Sequence, residues 1–426
     1  MKKISEINVL KNASWIIVSK AFQALLQLLI LIIVARNLGP EEFGVLSYAM
    51  SLVVFVTPLA FLGINNTLVH EIISNPQKQG VVIGTSITLS LVSSVFSGLL
   101  IQLFIYIANP GEEKLTIVCL LYSLVLLFQA LELIKYWFQA KLLSKYSSII
   151  SLLAYVAIAI YNIIIFLFDK SIYWFTVSNV LVFMLMSVIL LIYYYKLGGE
   201  SLSFSSRVAT LIWSKAKHFI LPSVMVAIYS QSDRVMLQQM VGDRGVGLYS
   251  AALSVASMAS FLFVAVIDSF RPLIFNYYHK SNLKFEYYLK KTYSIVLYLS
   301  IFQAIFISIF SGVIIKIIFG SEYLGAVSTL MIICWYIMFS FLGAVRNIWI
   351  LSNGLERYLF IINLGGAIIN IVMNYFLIPR YGIEGAAVAS LVTQIITNFV
   401  FSYLISPMRK SNKLLLNGIH PKYLKT

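Results

Sequence analysis

Nine charged side chains fall inside long apolar stretches of this 426-residue sequence: Lys20, Glu132, Lys135, Asp233, Arg234, Asp268, Arg271, Lys316 and Arg346. Six are cations and three are anions. A lysine offers a compact point charge and an arginine a planar two-pronged donor, both suited to phosphate oxygens. The chemistry such a set favours is capture of an anionic group. Enzyme motifs are missing. Gly39-x4-Gly44 is followed by Val45-Leu46, not by the Lys-Ser/Thr of a nucleotide-binding loop, and no His-Glu-x-x-His occurs. Cys119 and Cys334 stand alone in apolar runs, which excludes a disulfide framework and a cysteine metal site. No catalytic residue, metal or cofactor is expected. Asp233, Asp268, Glu132 and His70 are titratable, so proton or ion coupling is open. His70-Glu71 as a lone pair reads as a helix-end cap.

The elements that carry these charges follow from composition. The chain is 60% hydrophobic and 11% charged, with mean hydropathy +0.91. Soluble domains are about 45–50% apolar and about 25% charged. A soluble enzyme, a disordered chain and a nucleic-acid-binding domain are therefore excluded. A membrane-crossing helix needs about 20 apolar residues. Candidates lie at 12–34, 43–64, 80–107, 115–138, 148–168, 172–195, 217–240, 248–270, 292–318, 324–351, 358–378 and 384–406, which makes twelve. The runs are continuous and do not alternate, so the fold class is an all-α polytopic membrane protein and not a barrel. The first span is too long for a cleavable signal and no small-residue cleavage site follows it.

Lysine and arginine in the loops set orientation. With the N-terminus in the cytoplasm, inner segments and the tail hold 21 basic residues, including Lys2, Lys3, Lys11, Lys422 and Lys425, and the outer loops hold five. N-in, C-in follows, and most of the +15 net charge is assigned to topology without any nucleic acid. The loop 271–291 interleaves Tyr277, Tyr278, Tyr287 and Tyr288 with four lysines and reads as a short interfacial helix on anionic membrane lipid. Trp15, Trp137 and Tyr193 to Tyr195 read as interfacial belt residues.

The chain divides into halves. The polar stretch 196–217, with Gly198-Gly199 and several serines, separates six spans from six. The expected domains are an N-terminal bundle (1–196), a cytoplasmic linker (197–216) and a C-terminal bundle with a basic tail (217–426). At a constant offset of 203, Gly39, Gly44, Ser47, Ala49 and Ser51 match Gly242, Gly247, Ser250, Ala252 and Ser254. Gly320-x4-Gly325 is a third copy of the turn. The first glycine of each is expected at positive φ as a helix end, and the second at a close helix approach. Six intervening spans make the repeats parallel, as in transporters with a substrate path between halves.

Position sorts the charges. Lys20 lies about eight residues into span one, roughly 12 Å deep, too deep for an ordinary flanking lysine. Arg234 lies inside span seven, and Asp233 points about 100° away from it. Arg346, near the inner end of span ten, reads first as an interfacial anchor. Glu132 with Lys135, and Asp268 with Arg271, are three apart, a spacing that forms local ion pairs. The repeat offset maps Asn65-Asn66 onto Asp268-Ser269, so both polar pairs are expected at the cytoplasmic mouth of the path.

The stretch Ala35-Arg36-Asn37-Leu38-Gly39-Pro40-Glu41-Glu42-Phe43-Gly44-Val45-Leu46-Ser47-Tyr48-Ala49 resembles the first hairpin of polysaccharide flippases. Asp233-Arg234-Val235-Met236-Leu237, followed by Val241-Gly242-x4-Gly247-Leu248-Tyr249-Ser250-Ala251-Ala252, resembles their seventh and eighth spans. Asn374-Tyr375-Phe376-Leu377-Ile378-Pro379-Arg380-Tyr381-Gly382-Ile383-Glu384-Gly385-Ala386-Ala387 is similar to their eleventh-to-twelfth hairpin. With twelve spans in two halves, the resemblance to Wzx-type O-antigen and capsule flippases covers nearly the whole chain. It implies two six-helix bundles forming a V-shaped central cleft, lined by spans one, two, seven and eight. It implies an undecaprenyl-pyrophosphate-linked oligosaccharide substrate, moved to the outer leaflet of a bacterial inner membrane by alternating access. Polysaccharide polymerase and chain-length proteins are the implied partners. Lys20, Arg234 and Arg346 are then candidates for the pyrophosphate. Asn65, Asn66, Asp233, Asp268, Arg271, Glu132 and Lys135 are candidates for polar contacts or coupling. The rival is a multidrug exporter of the same superfamily. Such exporters of cations use carboxylates in spans one and seven; span one has Lys20 and no acid, whereas span seven has Asp233.

Overall fold

The computed structural model describes residues 6–168, 170–278, 280–420 and 423, without the side chains of 6–14 and 16–18. Lys2, Lys3, Lys422 and Lys425 and the side chain of Lys11 lie outside the described residues. All regular elements among those described are helical: α1 (Glu6–Ala60), α2 (Leu68–Ser74), α3 (Gln79–Ala108), α4 (Glu113–Leu131), α5 (Lys135–Ala140), α6 (Ser144–Leu167), α7 (Ile172–Lys196), α8 (Ser206–Met240), α9 (Asp243–Ser257), α10 (Ser260–Tyr278), α11 (Asn282–Ile318), α12 (Val327–Ser352), α13 (Arg357–Ile395), α14 (Phe401–Leu404) and α15 (Arg409–Gly418).

Among the described residues ten helices are long and apolar enough to cross a membrane. Two contain a turn: α1 at Gly39 (φ 68°) and α13 at Gly382 (φ 56°). The 42 residues from Ser19 to Ala60 would measure about 63 Å if straight, twice a bilayer core of about 30 Å. Counting each bent helix as two crossings reconciles ten helices with the twelve expected spans. One expectation changes. The span 248–270 is not one helix, because the chain breaks after Ser257 and α10 begins at Ser260. Ser257 Oγ donates back to the carbonyls of Leu253 (2.8 Å) and Ser254 (3.1 Å), a bond that bends helices.

The chain forms two compact units, residues 1–38 with 45–227, and residues 39–44 with 228–426. In the first, Ile64, Leu68, Ile83, Trp137, Phe138 and Tyr194 pack in one core. The segment after α7 is bound to this unit: Gly80 N donates to Glu200 Oε2 (2.8 Å), Tyr194 OH to the Glu200 carbonyl (2.6 Å) and Ser205 N to Thr85 Oγ1 (3.1 Å). The stretch 197–216 therefore lies inside the first unit, and the division falls within α8, between Ala227 and Ile228. Trp137 and Tyr194 are core residues at 3% and 0% exposure, not belt residues. Their polar atoms are satisfied internally, Trp137 Nε1 by Gln79 Oε1 at 3.1 Å.

In the second unit Phe263, Ile274, Leu289, Tyr293, Trp349 and Leu414 belong to one core. α15 lays Leu414 and Leu415 into it, and Lys410 pairs with Glu286 on α11 at 3.0 Å. The expected interfacial helix in 271–291 does not stand apart. α10 continues to Tyr278 and α11 starts at Asn282, with Ser281 accepting from Lys284 N as its N-cap. Its four tyrosines and three of its lysines sit on those two helices, with Lys280 in the turn between them and Lys284 Nζ 5.1 Å from the Tyr277 ring.

The repeated glycine turn behaves as its spacing predicts. Gly39, Gly242 and Gly320 adopt φ of 68°, 91° and 101°. A Cβ on Gly44 would strike the Asp243 carbonyl, and one on Gly247 the Pro40 carbonyl. These two backbones meet within the second unit with no side chain between them.

Candidate functional site

The best-developed polar site is built around Asp233 of α8, in the second unit. Its carboxylate is 6% exposed. Asn370 Nδ2 (3.1 Å) and Asn374 Nδ2 (2.7 Å) donate to Oδ1, and Tyr249 OH (2.6 Å) and Ser390 Oγ donate to Oδ2. Local folding assembles them. Asn370 and Asn374 are four apart and share a face of α13. Gly382 reverses the chain, and Gly385 packs against the Leu377 carbonyl where a Cβ would not fit. That close hairpin returns Ser390 to the same carboxylate. Ser232 Oγ donates to Asn370 Oδ1 (2.6 Å) and so orients the amide.

All four donors to Asp233 are neutral. Among the described residues no cation lies within 4 Å of it. A buried carboxylate normally has a charged partner, or else marks a functional position. Asn374 Oδ1 is also buried without a hydrogen-bond partner. Carboxylate, amide and hydroxyl oxygens in one place suit a proton or a hard cation.

The expected phosphate ligands fall as follows. Lys20 is exposed on α1 of the first unit. Arg234 is half-buried on α8, with Nε donating to Ser250 Oγ (3.1 Å) and Nη1 to Gln231 Oε1 (2.8 Å). Arg346 is not an interfacial anchor: it is 5% exposed, and Nη1 donates to the Thr397 carbonyl (2.6 Å) and Nη2 to Asn347 Oδ1 (3.2 Å). Thr397 lies in a π-helical turn, Ile396–Val400.

The pairs three apart are ion pairs. Lys135 Nζ lies 2.8 Å from Glu132 Oε1, and Arg271 Nη2 lies 3.3 Å from Asp268 Oδ1 with both side chains about half exposed. Asn65 and Asn66 are exposed in a 3-10 turn after α1, with Asn66 Nδ2 donating to Asn65 Oδ1 at 3.3 Å.

Two features are not legible from charge alone. The neutral cage of Asn370, Asn374, Ser390 and Tyr249 has a weak signal, two asparagines one turn apart in an apolar run. Glu71 is not merely a cap: its side chain is 3% exposed and takes Lys215 Nζ at 2.6 Å, a partner 144 residues away for which no local pattern exists.

The sequence matches the family described as "Polysaccharide biosynthesis protein" over residues 9–278. It is 23% identical over 408 residues to the capsular polysaccharide biosynthesis protein CapF of Staphylococcus aureus, covering 93% of this chain and 98% of that one. It is 22% identical over 420 residues to a Shigella flexneri protein named as an O-antigen transporter, covering 94% and 99%. The fold is shared with the lipid II flippase MurJ in an inward closed conformation (TM-score 0.70, 13% identity, 94% and 90% covered) and with an inward-facing multidrug MATE transporter (TM-score 0.69, 13% identity, 91% and 96% covered). The family match covers more than half of the sequence, and this multi-pass membrane chain is a member of the polysaccharide biosynthesis protein family.

Proposed function

We propose that the protein flips undecaprenyl-pyrophosphate-linked oligosaccharide repeat units from the cytoplasmic to the outer leaflet of a bacterial inner membrane, for O-antigen, capsule or exopolysaccharide assembly. The observation that carries this reading is near full-length similarity to proteins named for capsule biosynthesis and O-antigen transport. The cationic bias of the within-span charges supports it. In this reading Lys20 and Arg234 bind the pyrophosphate, one as a point charge and one as a fork. Arg346, hydrogen-bonded inside its own bundle, is left out of the contact. Asn65 and Asp268 meet sugar hydroxyls at the cytoplasmic mouth, with N- and C-termini both inside. Full export by Asn65→Ala and Asp268→Ala would remove that part.

Asp233 is the proposed coupling site. Binding of a proton or monovalent cation neutralises the carboxylate and replaces some of its hydrogen bonds, so the α8–α9–α13 contact has two bonding states. One charge crossing 100 mV is worth about 2.3 kcal/mol, enough to bias such a switch.

A multidrug exporter is the second reading, favoured by the carboxylate on α8. Deletion of the gene separates them. A flippase leaves lipid-linked repeat units accumulated in the inner leaflet, whereas an exporter leaves them unchanged and raises drug sensitivity.

A further inference from the structure

The second half of α13 and the π-helical turn that continues it bear a buried polar stripe. Ser390, Thr393, Gln394, Thr397 and Asn398 recur every three or four residues, on one helix face, and none is more than 6% exposed. In a membrane helix such a stripe faces partners or water. At one end Ser390 donates to Asp233. In the middle Asn398 Nδ2 donates to Gln394 Oε1 (2.8 Å), filling the space that Gly343 of α12 leaves open. At the other end Arg346 donates to the Thr397 carbonyl. Tyr229 interacts electrostatically with both Asp233 and Arg346. About 10 Å of helix separates Ser390 from Thr397.

The Arg346 end is under-bonded. Among the described residues no carboxylate lies within 4 Å of its guanidinium. Arg346 Nε has no hydrogen-bond partner. The hydroxyls of Tyr229 and Tyr293, the two tyrosines that interact with that charge, face Thr397 and Ser411 Oγ on α15 but complete no hydrogen bond of good geometry with them. Four buried polar groups that lack a well-formed hydrogen bond, drawn from four helices, are where ordered water belongs.

We propose that this seam is a hydrated path through the second bundle from its α15 end to Asp233, and that Arg346 is a fixed cation closing it to positive ions. The inference rests on Asp233 being the coupling site. A guanidinium held in a narrow, low-dielectric passage repels a second cation, as arginine does in water-selective pores. Water still enters, while the coupling ion must reach Asp233 from the other end and cannot leak through. The π-helical turn helps to place the plug, since Thr397 O accepts from Arg346.

The test uses the full chain in liposomes without lipid-linked substrate, under an imposed potential, with entrapped pH- and Na+-sensitive dyes. Wild type should show background cation influx. Arg346→Gln should leak at least tenfold faster, Arg346→Lys should stay near background, and Thr393→Leu added to Arg346→Gln should abolish the leak. A correctly folded Arg346→Gln protein with background influx overturns the proposal. If that variant does not fold, Arg346→Met is read against the same two outcomes. The coupling reading is tested separately, by cation- or proton-dependent thermal stabilisation of wild type and its loss in Asp233→Asn. Stabilisation lost in Asp233→Asn with no leak in Arg346→Gln rejects the plug alone. A leak without such stabilisation rejects Asp233 as the coupling site, and with it the premise of the plug.

Discussion

Glu71 and Glu132 in the first bundle each meet a lysine amine, at 2.6 and 2.8 Å, while Asp233 in the second meets four neutral donors. Arg346, in the same bundle as Asp233, likewise bonds only to a carbonyl and a side-chain amide. The lysines of the first bundle are partly exposed, 43% for Lys215 and 41% for Lys135, so their charges keep contact with solvent. Those pairs neutralise charge locally and hold helices together. The second bundle instead keeps an anion and a cation apart, bridged by tyrosines and a polar stripe. A separated pair is costly in apolar surroundings, and a role in moving charge is what justifies that cost.

The contrast breaks most readily at the ligand and coupling positions. Lys20→Ala and Arg234→Ala should each abolish surface polysaccharide, and Lys20→Arg should retain part of it; normal polysaccharide in both alanine variants would remove the pyrophosphate assignment. Asp233→Asn should reduce export by at least tenfold while the protein still folds, checked by export alongside melting temperature, because the cage keeps its shape and loses its charge. Gly247→Val should come next, since any Cβ there meets the Pro40 carbonyl; we expect a loss of about 1–3 kcal/mol from overpacking, read by thermal unfolding in detergent. Lys215→Met leaves buried Glu71 with only the longer contact to His70 Nδ1 (3.5 Å) and should cost about 1–3 kcal/mol, with export preserved at permissive temperature. Arg271→Gln, on a half-exposed pair, should change stability by less than about 1 kcal/mol. If Lys215→Met impaired transport more than Asp233→Asn, the distinction between structural and functional charge would be inverted.

What the sequence discloses and what it hides follow from range. Apolar runs, loop lysines and the glycine turns are local, and Gly39, Gly242 and Gly320 take the backbone their spacing requires. Glu132–Lys135 and Asp268–Arg271 are likewise legible because a helix brings i and i+3 together. Asp233 is visible as a charge in an apolar run, but its cage comes from residues up to 157 positions away and carries no charge of its own. Arg346 looks interfacial by position along span ten. The packing of α11 and α13 against α12 buries it. The break after Ser257 escapes an average of hydropathy because Met258, Ala259 and their neighbours are as apolar as a continuous span.

The most direct measurement follows lipid-linked oligosaccharide across a bilayer: the purified chain in liposomes with the lipid in the inner leaflet, and its appearance outside read by a glycan-cleaving enzyme that cannot enter. Transfer well above protein-free liposomes, lost in Lys20→Ala and Arg234→Ala, is the result expected. Protein-free rates for wild type, together with efflux of cationic dyes from the same vesicles, would contradict the flippase reading.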